Sequence, residues 1–154
     1  MAYKSWLIGE LIIEERITSF LSNIDTLTED LLWRIGKDVR DDASKEAPKD
    51  THALSESISV TTDKRSDYWQ RIGIAQRLRP EARIAPKSMP PRNAVDIHAP
   101  VHYASFVELG TRFMNMQPYM LPALADLAEK LRIRFDVTYR EFLPGLTVRR
   151  EIIK

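Results

Sequence analysis

Between Tyr103 and Leu124 the chain compresses several backbone instructions into one short block, and any fold has to honour them together. Tyr103-Ala104-Ser105-Phe106-Val107-Glu108-Leu109 is a short apolar segment, and Gly110-Thr111 stops it. A Met/aromatic linker follows through Phe113, Met114 and Met116, and Pro118-Tyr119-Met120-Leu121-Pro122-Ala123-Leu124 opens a helix. Gly110 supplies the positive φ that ends a helix over Ala104 to Leu109, and Pro122 suits a first helical turn. Phe113, Met114, Met116, Tyr119 and Met120 form the densest soft, aromatic cluster in the chain. Such a cluster is either core or docking strip; Met adapts to irregular surfaces, and Tyr and Met are enriched at interface cores. The polar Asn115 and Gln117 between them point to an extended strip with one face free for a partner.

Upstream, Trp6, Ile13, Ile17, Phe20 and Ile24 fall near one helical face, predicting a first helix over residues 3 to 22. Leu7, Leu11 and Ile12 widen its apolar surface, which suits either a well-buried core helix or one with a second partner. Residues 1 to 24 read as an N-terminal helical extension. Thr26-Leu27-Thr28-Glu29 has capping-box spacing and opens a second helix, with Leu27, Leu31, Ile35 and Val39 recurring every four residues. That helix ends before Pro48, because the residue preceding a proline disfavours helical backbone. Ile58 and Val60 alternate with Ser57, Ser59 and Thr61 as in a half-buried strand. Tyr68, Gln70, Ile72 and Ile74 suggest a second strand, and Val95 and Ile97 a third.

Residues 76 to 92 carry Pro80, Pro86, Pro90 and Pro91, too many for central sheet and long for an idle connection. They read as a projecting loop or hairpin. After Pro122, Leu124, Leu127, Ala128 and Leu131 continue a helical face that can run through Ile133 and Phe135 to Phe142, before Pro144-Gly145. Residues 143 to 154 read as an edge strand or arm. The fold class is α+β: N-terminal helices, a small mainly antiparallel sheet, a short helix and a long C-terminal helix, in one domain over 25 to 142.

The length of 154 residues suits a single core. The absence of cysteine excludes disulfides and thiolate metal sites and fits a reducing cytoplasm. The first residues lack the charged-then-apolar order of a signal peptide, and the run Leu7 to Ile13 is broken by Glu10, so neither secretion nor membrane association is expected. Net charge is only +1, but residues 64 to 92 carry eight basic residues against Asp67 and Glu81, while acids outnumber bases over residues 1 to 60. Such polarity can orient subunits or turn one sign toward a polyanion.

Three residues invite chemistry. His98 and His102 lie four apart with Glu108 nearby, but Pro100 argues against a continuous helix presenting both histidines to a metal. Glu108 between Val107 and Leu109 could be desolvated, yet no second titratable group completes an acid–base pair. It more readily caps or braces the Gly110-Thr111 turn, or pairs with a basic residue of a neighbour. Arg77, Arg79, Arg83, Lys87 and Arg92 could meet phosphates without sequence preference, although the loop lacks the interleaved aromatics of a single-strand platform. No catalytic, cofactor or metal site is expected.

The block from Tyr103 to Thr111 resembles Tyr-Ala-x-aromatic-Val-Glu-aromatic/aliphatic-Gly-Thr. The block from Met114 to Leu124 resembles Met-x-Ala-x-Pro-aromatic-aliphatic-x-Pro-Ala-Leu. Both patterns are those of the minor tail component or tail-completion (neck, head–tail joining) proteins of long-tailed, lambda-like bacteriophages. Ala43, Ala47-Pro48, Thr51-His52-Ala53-Leu54 and Ser57-Ile58 are similar to a second block of that family, and the likeness spans residues 27 to 130. His52 stands where the family has the glycine of a left-handed turn, Met116 where it has Ala, and Leu121 where it has Arg; the last two make the linker more apolar.

The resemblance implies a virion structural protein, assembled in the host cytoplasm into a ring at the head–tail junction or top of the tail. A hexamer is the natural guess and a dodecamer the next, with portal-side neck proteins and the tail terminator or tail tube as neighbours. Its subunit contacts would involve Tyr103, Phe106, Glu108, Gly110, Thr111, Phe113, Met114, Met116, Tyr119 and Met120, and the basic loop would face packaged DNA in the channel. Two alternatives of other classes are a nucleic-acid-binding accessory protein, resting on the basic loop, and a small metal-dependent hydrolase, resting on His98, His102 and Glu108.

Overall fold

The computed structural model describes residues 3–50, 52–125 and 127–142, with side chains described between residues 22 and 138. The elements run α1 (Tyr3–Glu46), α2 (Ala53–Ser57), β1 (Ser59–Thr62), α3 (Tyr68–Leu78), β2 (Val95–His98), α4 (Ala104–Leu109), α5 (Met120–Ala125) and α6 (Leu127–Phe142). Strands β1 and β2 pair antiparallel with Val60 opposite Ile97. The α+β class therefore holds, on a sheet of two strands.

A two-stranded sheet is marginal alone and needs a packed face. Helix α1 supplies it. Ile35, Val39, Ala43 and Ala47 recur every four residues and are all buried, in one cluster with Leu54, Ile58, Val101, Ala104, Tyr119 and Ala123. Gly36 marks the closest approach of helix to sheet: a Cβ there would lie 2.6 Å from Cγ1 of Val60 and 2.8 Å from Cγ2 of Val95. The helix can lie this low only because that position has no side chain.

Two expectations are corrected. The first and second helices are one 44-residue helix, so the boundary drawn at residues 22 to 26 falls inside α1. The Thr26–Glu29 pattern is not a cap. Thr26 and Thr28 donate their hydroxyls to the carbonyls of Ser22 and Ile24, one turn back, at 3.0 and 2.9 Å. Glu29 is buried and accepts the Thr62 hydroxyl at 2.5 Å, tying α1 to the end of β1. The second expected strand is helix α3, because Tyr68, Ile72 and Ala75 are buried at helical spacing while Gln70, which alternation required to face inward, is exposed.

The uneven charge along the chain is partly neutralised within it. Arg65 pairs with Asp30 at 2.6 Å, Arg71 with Glu56 at 2.7 Å and Arg92 with Asp25 at 2.5 Å, so three basic residues of the middle segment meet acids of residues 1 to 60. Arg40 of α1 pairs with Asp67, whose other oxygen accepts the Val60 N–H at 2.7 Å. Helix α6 runs antiparallel against α1 through two rungs one turn apart, Asp38 with Arg134 at 2.5 Å and Asp42 with Lys130 at 3.0 Å. Part of the sequence polarity is thus intrachain complementarity, while Arg77, Arg83 and Lys87 keep no acidic partner among the described residues.

The predicted short helix over Ala104 to Leu109 coincides with α4. The run expected from Pro122 to Phe142 is described as α5 and α6 on either side of residue 126, and the expected arm at 143 to 154 lies outside the described residues. The basic loop does not project over its first part. Ala82 is buried, Ile84 bridges Val101, and Ala85 donates its N–H to the Pro100 carbonyl at 2.7 Å while its carbonyl accepts the Tyr68 hydroxyl at 2.5 Å. Among the described residues, no helix is long and apolar enough to cross a membrane.

Candidate functional site

The segment from α4 to α5 is built around two devices, a glycine and a carboxylate. Gly110 ends α4 at φ 75°, and a Cβ there would sit 2.8 Å from the Met116 nitrogen and 3.0 Å from the Met114 carbonyl oxygen. The position thus needs glycine twice, for a backbone angle that side chains disfavour and for the chain that folds back over it. That returning chain makes a tight turn. Thr111 donates its N–H to the Met114 carbonyl at 2.9 Å, Met114 returns the bond at 3.3 Å, and Phe113 donates its N–H to the Thr111 hydroxyl at 3.2 Å. Gln117 then donates its N–H to the Val107 carbonyl at 2.9 Å, fastening the linker to α4.

Glu108 serves the other end. Its Oε2 accepts the N–H groups of Tyr119 and Met120 at 2.8 and 3.0 Å, and its Oε1 accepts that of Leu121 at 2.9 Å. Pro122 has no N–H to satisfy, so the carboxylate meets the amide donors that open α5, at the end of the helix that favours negative charge. Burial pushes this carboxyl up, but the three donors outweigh it and hold it below its ordinary value. Burial, reinforced by the Glu108 charge, pushes the Tyr119 hydroxyl well above its ordinary range. Glu108 is therefore a cap, of α5 and not of the Gly110-Thr111 turn.

This scaffold turns apolar side chains outward. Phe113 is 91% exposed at the turn apex, Leu109 71%, Leu121 60%, Met116 58% and Phe106 53%. Of the residues assigned to contacts from the sequence, Phe106, Phe113, Met114 and Met116 face solvent, while Glu108, Gly110 and Thr111 hold the backbone. Tyr103 and Met120 are half-buried against the core. Tyr119 is a correction: it is 3% exposed, inside the core, with its hydroxyl toward the Ala104 carbonyl at 3.5 Å. Sequence reasoning missed Leu109 and Leu121. The signal for Leu109 was present, since Phe106 and Leu109 share one face of α4 while Ala104 and Val107 share the inward one.

Beside the turn lies a groove of about 530 Å³ whose walls include Pro48, Leu54, Tyr103, Phe106, Val107 and Met114, with Asp50, Arg79 and His102 among its polar residues. Arg79 is committed, pairing with Glu81 at 3.0 Å and lying over the Tyr103 ring at 4.7 Å. Of the other basic-loop residues, Arg92 is paired with Asp25. Arg77 and Arg83 are exposed, Lys87 is half-buried, and none of the three has an acidic partner among the described residues.

The residues behind the hydrolase alternative are engaged separately. His98 stacks on Tyr68 with ring centroids 6.0 Å apart, Nδ1 of His102 accepts the Arg83 N–H at 3.1 Å, and Glu108 caps α5. Among the described residues no cluster of three or more His, Asp or Glu is placed to hold a metal ion. Comparison with models of known protein families, with curated proteins and with solved structures gives no match for this chain.

Proposed function

We propose that this chain is a structural component of a tailed-phage virion, working by association as a ring at the head–tail junction or the top of the tail. The reading starts from the resemblance of residues 103 to 124 to neck and tail-completion proteins. One observation carries it further. The segment that bears the resemblance is also where Phe106, Leu109, Phe113, Met116 and Leu121 are exposed on a backbone pinned by Gly110 and Glu108. Monomeric proteins seldom expose apolar side chains in such concentration unless a partner covers them.

The test is the molar mass of the purified chain by light scattering after size exclusion, with negative-stain images of the main peak. Closed rings of about six or twelve copies support the reading. A chain that neither forms rings alone nor joins isolated phage necks or tails overturns it.

A second reading, sequence-independent contact with nucleic acid, is favoured by Arg77, Arg83 and Lys87, which lack acidic partners among the described residues. Three phosphate contacts would give a log–log salt slope of about −3. The expected result is measurable duplex binding that fades between low and physiological salt; no binding at low salt removes this reading.

A further inference from the structure

We propose that the Arg112–Phe113 turn of one copy seats in the apolar groove of the next, so that the chain associates head to tail with itself. The proposal rests on the ring reading for closure of the assembly; the contact itself follows from shape and charge. Phe113 stands 91% exposed at the apex of a turn closed by two backbone hydrogen bonds and anchored at Gly110. An aromatic on so rigid a mount sacrifices little conformational freedom when it docks, which is what makes a strong anchor. The groove alongside, about 530 Å³ with walls from Leu54, Tyr103, Phe106 and Val107, is an apolar recess of a kind that receives such an anchor.

Charge complementarity selects the occupant. Arg112 has no acidic partner among the described residues, and its guanidinium lies 5.7 Å from the centre of its own Phe113 ring. Asp50 is the acid among the groove's lining residues; it is exposed and has no basic partner among the described residues. The groove's arginine, Arg79, is already matched by Glu81. A Phe113 ring entering the groove therefore brings its arginine to an unmatched acid. Knob and groove adjoin, since Thr111 and Met114 of the turn also line the groove. A non-reciprocal contact leaves one groove and one knob free, and repetition gives a ring if the rotation closes and a filament if it does not, whereas a reciprocal contact closes as a dimer.

The experiment uses the full chain, size exclusion with light scattering, and circular dichroism to confirm folding. Phe113→Asp and Phe106→Asp alter exposed positions, and each is expected to be a folded monomer. Their equimolar mixture is expected to form a heterodimer and stop there, because one copy keeps the knob and the other keeps the groove. Asp50→Arg and Arg112→Asp are each expected to weaken assembly, and together in one chain to restore it. A wild-type chain that stays monomeric at millimolar concentration overturns the proposal, as do a Phe113→Asp chain that assembles normally and a charge swap that rescues nothing. Rings that persist in Phe113→Asp remove this contact and leave the ring reading standing. A dimer or open filament that depends on Phe113 keeps the contact and removes the ring.

Discussion

The α1–sheet–α6 body and the α4–α5 segment solve opposite problems with the same residue types. In the body, α1 and the sheet bury Ile35, Val39, Ile58 and Val60 while α6 leaves Leu131, Ile133 and Phe135 exposed, and charges pair across elements, as in Asp38 with Arg134, Asp42 with Lys130 and Arg40 with Asp67. In the segment, a charge is used on the backbone, Glu108 capping α5, while Phe113, Leu109, Leu121 and Met116 face water. One arrangement spends side chains on stability; the other spends backbone hydrogen bonds on holding apolar side chains out. Apolar surface kept outward on a rigid frame is the surface that the proposed association would cover. The comparison makes Tyr119 and Met116, three residues apart, the sharpest pair to separate. Tyr119→Ala opens a cavity in the core and is expected to lower stability by about 3–5 kcal/mol. Met116→Ala is expected to change it by less than about 0.5 kcal/mol. Chemical denaturation measures both, and similar losses at the two sites would erase the distinction between the regions.

In the body, the matching break is Asp67→Ala. It leaves the nearly buried Arg40 with Asp41 alone and strips the Val60 N–H of its acceptor, so a loss of about 2 kcal/mol is expected. The exposed pair of Arg92 and Asp25 serves as control, since Arg92→Ala is expected to cost under about 1 kcal/mol. Equal effects would mean that the ion pairs do not distinguish interior from surface.

Glu108→Gln keeps the shape of the α5 cap and removes its charge, for an expected loss of about 2 kcal/mol. The same substitution changes the response to acid. Glu108 is held below its ordinary value of 4.5, burial raising it and three N–H donors lowering it further. Asp42 is held below 3.8 by Lys130 and Lys45. A depressed carboxylate stabilises the fold above its unfolded value and loses that contribution as pH falls through its folded value. Wild type is therefore expected to lose stability below about pH 4, and Glu108→Gln to lose less over the same range. Denaturation curves at neutral and acid pH decide it; parallel losses would show that Glu108 is not a source of the acid response.

Which features were legible in the sequence follows from how local their causes are. The α4 helix and its Gly110 stop are written in consecutive residues, and both stand where the pattern puts them. Helix α3 was misread because Tyr68 and Ile72 fit a two-residue and a 3.6-residue period alike; only Gln70, exposed, separates them. Glu29 was misread because its partner, Thr62, lies 33 residues downstream. In the candidate site, the type of residue was readable and its direction was not. Tyr119 and Met116 look alike in composition, and it is the fold-back over Gly110 that sends one inward and the other out. Gly36 carried no local signal at all, since its constraint comes from Val60 and Val95. Gly36→Ala sets a helix-propensity gain of about 1 kcal/mol against overpacking of about 1–3 kcal/mol. Because both obstructing atoms belong to stiff β-branched side chains, a net loss of about 1 kcal/mol is expected in thermal or chemical unfolding. A net gain would mean that α1 can lift off the sheet at little cost.

The smallest effect expected is at His52, and it runs in the stabilising direction. His52 precedes α2 at φ 56° and ψ −5°, the left-handed turn for which the resembled family carries glycine. The conformation is kept although the residue disfavours it, because the backbone around it is over-determined: the His52 carbonyl accepts the Glu56 N–H at 2.9 Å and the Ser55 hydroxyl at 3.0 Å. The imidazole is exposed and makes no capping bond of its own, so little is lost by deleting it. His52→Gly relieves a left-handed strain of about 1–2 kcal/mol. It adds back an unfolded-state entropy cost of roughly 0.5–1 kcal/mol. The balance is an expected gain of about 0.5 kcal/mol, or about 1–2 °C in Tm. An unchanged or lower Tm would show that the imidazole earns its place through contacts of its own, and the histidine would then become a candidate for the rim of the groove in which its neighbours Asp50 and Leu54 take part.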